Sequence, residues 1–127
     1  MLKNEQDTQV RDAICAHAVW TRKLSECIDS GQLEKTSHDI SCDDQCAFGK
    51  WLAGLSPAAH DPAMKKFTTI KTMHTRFHAE AGKIAAHVEN GDRAAARQGY
   101  EAPHFKRMTN SLIINLNDWR EDFRRFT

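Results

Sequence analysis

The sequence predicts an all-α protein, built as an antiparallel four-helix bundle with a short additional helix. Apolar side chains recur every three or four residues over most of the 127 residues, which is the spacing of one face of a helix. No stretch alternates apolar and polar residues for long enough to indicate a strand. Amphipathic helices joined by turns of modest length most simply pack as a bundle. We therefore expect residues 1–127 to form one domain.

The first half of the chain predicts one long and one short helix. The apolar face of the long helix consists of Val10, Ile14, His17, Thr21, Leu24 and Ile28. This helix should end near Gly31, where a glycine can take a helix-terminating conformation. Residues 32–44 are polar and aperiodic, so we expect a loop there. A short helix should follow, with Cys46 at its start and with Phe48 and Trp51 within it.

The second half of the chain predicts two further helices. Asp61 followed by Pro62 is typical of a helix N-terminus, because aspartate caps free N–H groups and proline suits the first turn. The apolar positions that follow keep the helical spacing as far as Gly91, where a left-handed residue should end the helix. The last helix covers about residues 93–124 and must kink or break at Pro103.

Charge and cysteine content narrow the classes of function. Eighteen basic and 17 acidic residues give a net charge of +1, so no charge excess points to nucleic acid or to an anionic membrane. The first 20 residues begin polar and contain no continuous apolar run, so we expect neither a signal peptide nor a membrane span. The expected location is the cytoplasm, where reducing conditions favour free thiols or metal ligation over disulfides. This applies to all four cysteines, Cys15, Cys27, Cys42 and Cys46.

Three histidines on or beside the apolar faces indicate a metal site. A lone histidine there is usually a satisfied core residue, but burying three imidazoles with unmet hydrogen-bonding groups would cost about 1–3 kcal/mol each. His74 and His78 are four residues apart in one helix, so both can reach a single cation. His17 and Cys46 are the natural third and fourth ligands. Three imidazoles and one thiolate suit Zn²⁺, although affinity alone does not exclude copper. Metal binding should weaken in acid, because the ligands must be deprotonated.

The complete motif resembles a known family. Its elements in chain order are His17-x-x-Trp20, Cys46-x-Phe48-Gly49-x-Trp51 and His74-x-x-x-His78. With spacers of 25 and 22 residues between them, they resemble the signature of the chemoreceptor zinc-binding (CZB) domain family over about residues 5–125. The resemblance implies a bacterial cytoplasmic four-helix bundle, commonly homodimeric. It also implies a bound Zn²⁺ whose ligands are His17, Cys46, His74 and His78.

The resemblance further implies a regulatory function without catalysis. Family members are attached to chemoreceptors or diguanylate cyclases, or are free-standing. They are implicated in sensing zinc availability, or an oxidant such as hypochlorous acid through the ligand cysteine. We expect this protein to pass such a signal to chemotaxis or cyclic-di-GMP machinery, in cis or in trans. We expect no nucleic-acid partner and no membrane partner.

The remaining motif residues are expected to enclose the site. Gly49 should allow backbone or a neighbouring helix to approach closely. Cys42, four residues before Cys46, is a candidate resolving thiol, although an unpaired loop cysteine is the simpler interpretation. Trp20, Phe48 and Trp51 should form apolar walls around the site. Their role is either core packing or tuning of the metal.

Several alternatives use the same residues. A purely structural zinc bundle, used only for dimerisation, would need the same ligands. A zinc hydrolase is disfavoured, because "HTRFH" (residues 74–78) lacks the glutamate of the H-E-x-x-H helix. A hemerythrin-like di-iron protein would need more histidines and bridging carboxylates, and a resting Cys42–Cys46 disulfide is a further alternative. No role is predicted for His38, His60, His87 and His104.

Overall fold

The computed structural model describes residues 2–55 and 61–126. Within these residues every regular element is helical, so the all-α prediction is confirmed. None of these helices is both long and apolar enough to cross a membrane. A 3₁₀ turn, Pro62–Met64, lies between the third and fourth helices. In chain order the helices are α1 (Leu2–Ser30), α2 (Ser37–Ser41), α3 (Ala47–Ala53), α4 (Phe67–Glu89), α5 (Arg93–Glu101) and α6 (Pro103–Arg125).

The long helices pack around one apolar core. Helix α6 lies against α1 and α4, and α4 also contacts α5 and α1. The core includes Val10 and Ile28 from α1, Phe77 from α4, and Leu112 and Trp119 from α6, each with at most 1% of its surface exposed. Burying such side chains contributes about 1.5–3 kcal/mol each. The core therefore determines how α1 and α4 face each other.

Two helix ends agree with the sequence. Helix α5 ends at Glu101 and α6 begins at Pro103, separated by Ala102 in an extended conformation. The last predicted helix is therefore broken at the proline, which is tolerated in the first turn because its missing N–H has no helical partner there. Gly91 has φ of +74°, so the left-handed end of α4 after Glu89 is also as expected.

The start of α4 differs from the prediction. Asp61 does act as a cap, because its carboxylate accepts a hydrogen bond from the Ala63 N–H at 2.9 Å. The capped element, however, is the 3₁₀ turn Pro62–Met64, and α4 begins only at Phe67. A tertiary contact explains the difference, since the indole N–H of Trp119 donates to the Ala63 carbonyl at 2.8 Å and ties the turn to α6. His60, which has no predicted role, lies outside the described residues.

The segment 32–44 is not entirely a loop, because it contains α2. Thr36 caps this helix by accepting a hydrogen bond from the Asp39 N–H at 3.1 Å. Ile40 is buried against α4. At Gly82 the two helices approach so closely that a Cβ atom there would lie 2.5 Å from an atom of α2. Five residues are too few to show a helical period, so only the capping pair could have indicated this helix.

Candidate metal centre

Four side chains from three parts of the chain converge beside the core. His17 comes from α1, His74 and His78 come from α4, and Cys46 is the N-cap residue of α3. Their metal-binding atoms all lie within 4.8 Å of one another. The three histidines are at most 3% exposed, and Cys46 is half-buried. The structure thus brings together all four residues that the sequence predicted as ligands.

The spacing of three of the four donor atoms is close to that of a tetrahedral zinc site. The Nε2 atoms of His74 and His78 are 3.0 Å apart. The Cys46 Sγ atom lies 3.3 Å from the first and 3.6 Å from the second. Zinc bonds of about 2.05 Å to nitrogen and about 2.3 Å to sulfur would place these donors about 3.3 Å and about 3.6 Å apart. The residues present can therefore hold a zinc ion.

Backbone carbonyls orient two of the imidazole rings. His17 Nδ1 lies 2.7 Å from the Ala13 carbonyl, one turn earlier in α1. His78 Nδ1 lies 2.9 Å from the Ile40 carbonyl in α2. A carbonyl can only accept, so Nδ1 is the protonated nitrogen in both rings and Nε2 keeps its lone pair for a metal. Helix α2, which the sequence pattern did not reveal, therefore orients a candidate ligand.

Burial sets the protonation of the cluster. It lowers the pKa of His17 to about 4 and also lowers the pKa values of His74 and His78. All three rings are therefore neutral near pH 7, which is the form that binds metals. Burial raises the pKa of the Cys46 thiol, against the opposing effect of the Gly49 N–H. A cation beside the sulfur would reverse this preference and favour the thiolate.

The aromatic rings of the motif lie beside the cluster, at two depths. Phe48 meets His74 edge-on with ring centroids 5.1 Å apart, and Trp20 meets His78 edge-on at 6.3 Å. Trp51 packs on Phe48 at 5.8 Å and on Trp119 at 5.8 Å, so it supports the wall from behind. Phe48 and Trp20 thus line the site, and Trp51 connects it to the core.

Gly49 allows a close backbone approach, as predicted. A Cβ atom at this position would lie 1.6 Å from the carbonyl oxygen of Asp43. The approaching backbone therefore belongs to the turn before α3 and not to a neighbouring helix. The Gly49 N–H also donates a hydrogen bond to the Cys46 sulfur at 3.3 Å.

Among the described residues, the other cysteines and histidines lie outside the cluster. All four cysteines are free thiols, so the alternative of a resting Cys42–Cys46 disulfide is wrong for this structure. Cys42 Sγ lies 3.9 Å from His38 Nε2, and the resolving role of Cys42 stays a prediction. His87 and His104 are exposed on α4 and α6.

An open cleft adjoins the cluster. Its volume is about 430 Å³, and its lining includes His17, Cys46 and His78 together with Trp20 and Lys35. The cluster therefore faces space that small molecules can enter.

Comparison with known families agrees with this geometry. Residues 17–85 match the model of the family described as the chemoreceptor zinc-binding domain, and this stretch is more than half of the 127 residues. It begins at the first candidate ligand and contains the other three. Comparisons with curated proteins and with solved structures found no match. The clustered donors and the matched residues together show that the chain belongs to the chemoreceptor zinc-binding (CZB) domain family, a family of zinc-binding domains.

Proposed function

We propose that the protein is a regulatory domain that holds one Zn²⁺ through His17, Cys46, His74 and His78. The convergence of these four donors within 4.8 Å carries the proposal. Membership of a zinc-binding family supports the choice of metal. The proposed role is to report zinc availability or oxidant to a signalling partner.

The donor set supports regulation over catalysis. Four protein ligands fill a tetrahedral zinc site and leave no position for a catalytic water. The helix that carries His74 and His78 also has no glutamate between them, unlike the metalloprotease helix. The family itself is a regulatory zinc-binding family and not a known enzyme family.

The redox part of the proposal concerns Cys46. When bound, zinc would hold this sulfur as the thiolate, the form that oxidants attack. In the reaction with hypochlorous acid the sulfur loses two electrons and gains the oxygen as a sulfenic acid, while chlorine leaves as chloride. The sulfenic acid is a weaker ligand than the thiolate. The cleft of about 430 Å³ beside Cys46 supports access of such a small oxidant.

The proposed output is a movement of the segment that carries Cys46. Because Cys46 is the N-cap of α3, loss of its metal bond would release that helix from the histidines of α1 and α4. The contacts among α1, α4, α5 and α6 support an antiparallel four-helix bundle as the body against which α3 moves. The receiver would be a chemotaxis protein or a diguanylate cyclase in the cytoplasm, in cis or in trans.

Homodimerisation is a further part of the proposal. Val19 on α1 is 37% exposed and Ile114 on α6 is 59% exposed, and these two helices pack together. Ile114→Lys should then raise the monomer fraction in sedimentation equilibrium. A wild-type protein that stays monomeric at high concentration would contradict this part.

Metal content and affinity test the ligand set. Protein purified under reducing conditions without added metal should contain about one zinc per chain by elemental analysis. Cys46→Ser should lower zinc affinity at least tenfold, as measured by competition with a chromogenic chelator, because the serine hydroxyl is a much poorer donor than a thiolate. His87→Ala is the matched control, since His87 is exposed on the same helix as two ligands. Equal zinc affinity in Cys46→Ser and wild type would remove Cys46 from the site.

Oxidant titration separates sensing from a purely structural role. Zinc release should accompany the loss of one thiol as hypochlorous acid is added, and Cys46 should be the residue oxidised in peptide mass spectra. Zinc retained after Cys46 has been oxidised would contradict the redox part. A shape and oligomeric state identical with and without zinc would favour the structural dimerisation module.

A further inference from the structure

The Cys46 sulfur is held differently from the three imidazoles. His17, His74 and His78 project from α1 and α4, which are 29 and 23 residues long and packed on the core. Cys46 instead ends a turn, residues 42–46, between two short helices. Its distance from the histidines therefore depends on what fixes that turn.

The Asp43 carbonyl oxygen contacts both Cys46 and Gly49. Its carbonyl oxygen lies 3.7 Å from the Cys46 sulfur. The same oxygen occupies the space beside Gly49 that a Cβ atom would fill. Any displacement of Asp43 would therefore move the backbone that presents the sulfur.

The Asp43 side chain ties this turn to α4. Its carboxylate Oδ2 accepts a hydrogen bond from the hydroxyl of Thr75. Thr75 Oγ1 also lies 3.0 Å from the Lys71 carbonyl, but a hydroxyl has one proton and the charged carboxylate is the stronger acceptor. Thr75 directly follows His74, so one turn of α4 presents a candidate ligand and also holds the segment that carries Cys46.

We propose that Thr75 and Asp43 are positioning residues that hold the Cys46 sulfur at bonding distance from the metal. This inference rests on the proposed zinc site. Partners outside the ligand set typically change metal affinity 10–100-fold when they are removed. A single exposed tether belongs at the lower end of that range, so we expect about a tenfold effect.

Substitution of Thr75 tests the tether with two readouts. Zinc affinity is measured by chelator competition, and the sulfur bond is followed by the thiolate-to-metal charge-transfer absorption of the cobalt-substituted protein. Thr75→Val removes the hydroxyl with little change of shape. It should lower zinc affinity about tenfold and reduce the intensity of the charge-transfer band. Thr75→Ser retains the hydroxyl and should behave as wild type. Thr72→Val is the matched control, an exposed threonine three residues earlier on α4.

A second variant checks that the two residues act as one unit. Asp43→Ala should also lower zinc affinity about tenfold. The double variant Asp43→Ala with Thr75→Val should show the same roughly tenfold loss of zinc affinity and not a hundredfold one. Losses that multiply would overturn the tether. So would a Thr75→Val protein with wild-type zinc affinity and a wild-type cobalt band.

The controls distinguish this inference from the proposed function. Cys46→Ser should lose the charge-transfer band completely. If wild-type protein shows no such band, or Cys46→Ser keeps it, the ligand set fails and the tether fails with it. If the band depends on Cys46 but not on Thr75 or Asp43, only the tether fails. Thermal unfolding of the metal-free variants should match that of Thr72→Val, because the tether is an exposed contact.

Discussion

At the scale of single residues, Gly49 combines two functions within the candidate site. It provides space for the Asp43 carbonyl, and its N–H donates to the Cys46 sulfur. Only the first of these requires glycine, because every residue except proline has a backbone N–H. A side chain at this position would have to displace backbone, which cannot yield as a flexible side chain can.

Gly49→Ala should therefore impair both folding and metal binding. The added Cβ would begin 1.6 Å from the Asp43 oxygen, so the turn before α3 must move. Overpacking of this kind costs about 1–3 kcal/mol, occasionally more. We expect the free energy of unfolding in urea to fall by about that amount, and zinc affinity to fall as well.

Gly54→Ala is the matched control at the other end of α3. Its nearest non-neighbouring atom would be 3.6 Å from the new Cβ, and its φ of −85° suits alanine. We expect a change within about 0.5 kcal/mol. Equal effects of the two substitutions would mean that the close approach at Gly49 does not constrain the turn.

At the scale of elements, α2 shows how a short helix serves a site built on long ones. It has five residues and only Ile40 buried, yet the Ile40 carbonyl accepts the proton of His78 Nδ1. The helix is held to the end of α4, where Glu89 accepts a hydrogen bond from the Ser37 N–H at 2.8 Å. Helix α2 thus connects the candidate metal site to the end of α4 at the surface.

The pairing of α1 with α6 includes a partly buried ion pair. Arg120 donates to both carboxylate oxygens of Asp7, at 3.0 Å and 3.3 Å. The two side chains are 21% and 27% exposed. The hydrogen bond from Arg120 lowers the pKa of Asp7 below its ordinary value of 3.8. A fork of two bonds has better geometry than most surface pairs.

Asp7→Asn should destabilise the protein by about 0.5–1 kcal/mol at neutral pH. The folded protein binds this proton less tightly than the unfolded chain, because the pKa is lowered in the folded state. The stabilisation is therefore complete above about pH 4 and is lost as pH falls through the lowered folded value. Urea unfolding of both proteins between pH 7 and acid should show the difference shrinking below pH 4.

Asp12→Asn is the control for this pair. Asp12 is also on α1, where its side chain is 65% exposed beside Arg11. We expect a difference within about 0.5 kcal/mol at all pH values. If the difference in unfolding free energy between Asp7→Asn and wild type is equally large in acid, the ion-pair explanation is wrong.

At the scale of the whole molecule, zinc should act as a stabilising ligand. The candidate ligands come from α1, from α4 and from the start of α3, so unfolding would separate them and release the metal. Free zinc at 100 times its dissociation constant should then add about 2.7 kcal/mol to the free energy of unfolding. A chelator should remove this increment, as measured by thermal unfolding.

The same measurement on Cys46→Ser gives the expected contrast. Most of the zinc-dependent increment should disappear, while the metal-free variant should unfold close to the metal-free wild type. An undiminished increment in Cys46→Ser would place the stabilising zinc elsewhere in the molecule.

Much of the fold could be predicted because helices are local structures. The spacing of apolar residues identifies a helix face without reference to the rest of the chain. Pro103 and Gly91 also act locally, through a missing N–H and a left-handed backbone. The start of α4 could not be predicted, because the hydrogen bond from Trp119 to the Ala63 carbonyl joins residues 56 positions apart.

The sequence by itself determined which residues can bind a metal. The spacing of His74 and His78 places both rings on one face of α4, and the motif adds His17 and Cys46 by family resemblance. The tertiary structure alone decided how these donors are held: Ile40 orients His78, and Asp43 lies against Gly49 and is tied to Thr75. The physical reason is that helical periodicity is set by neighbouring residues, whereas contacts between a turn and a distant helix depend on how the whole chain packs.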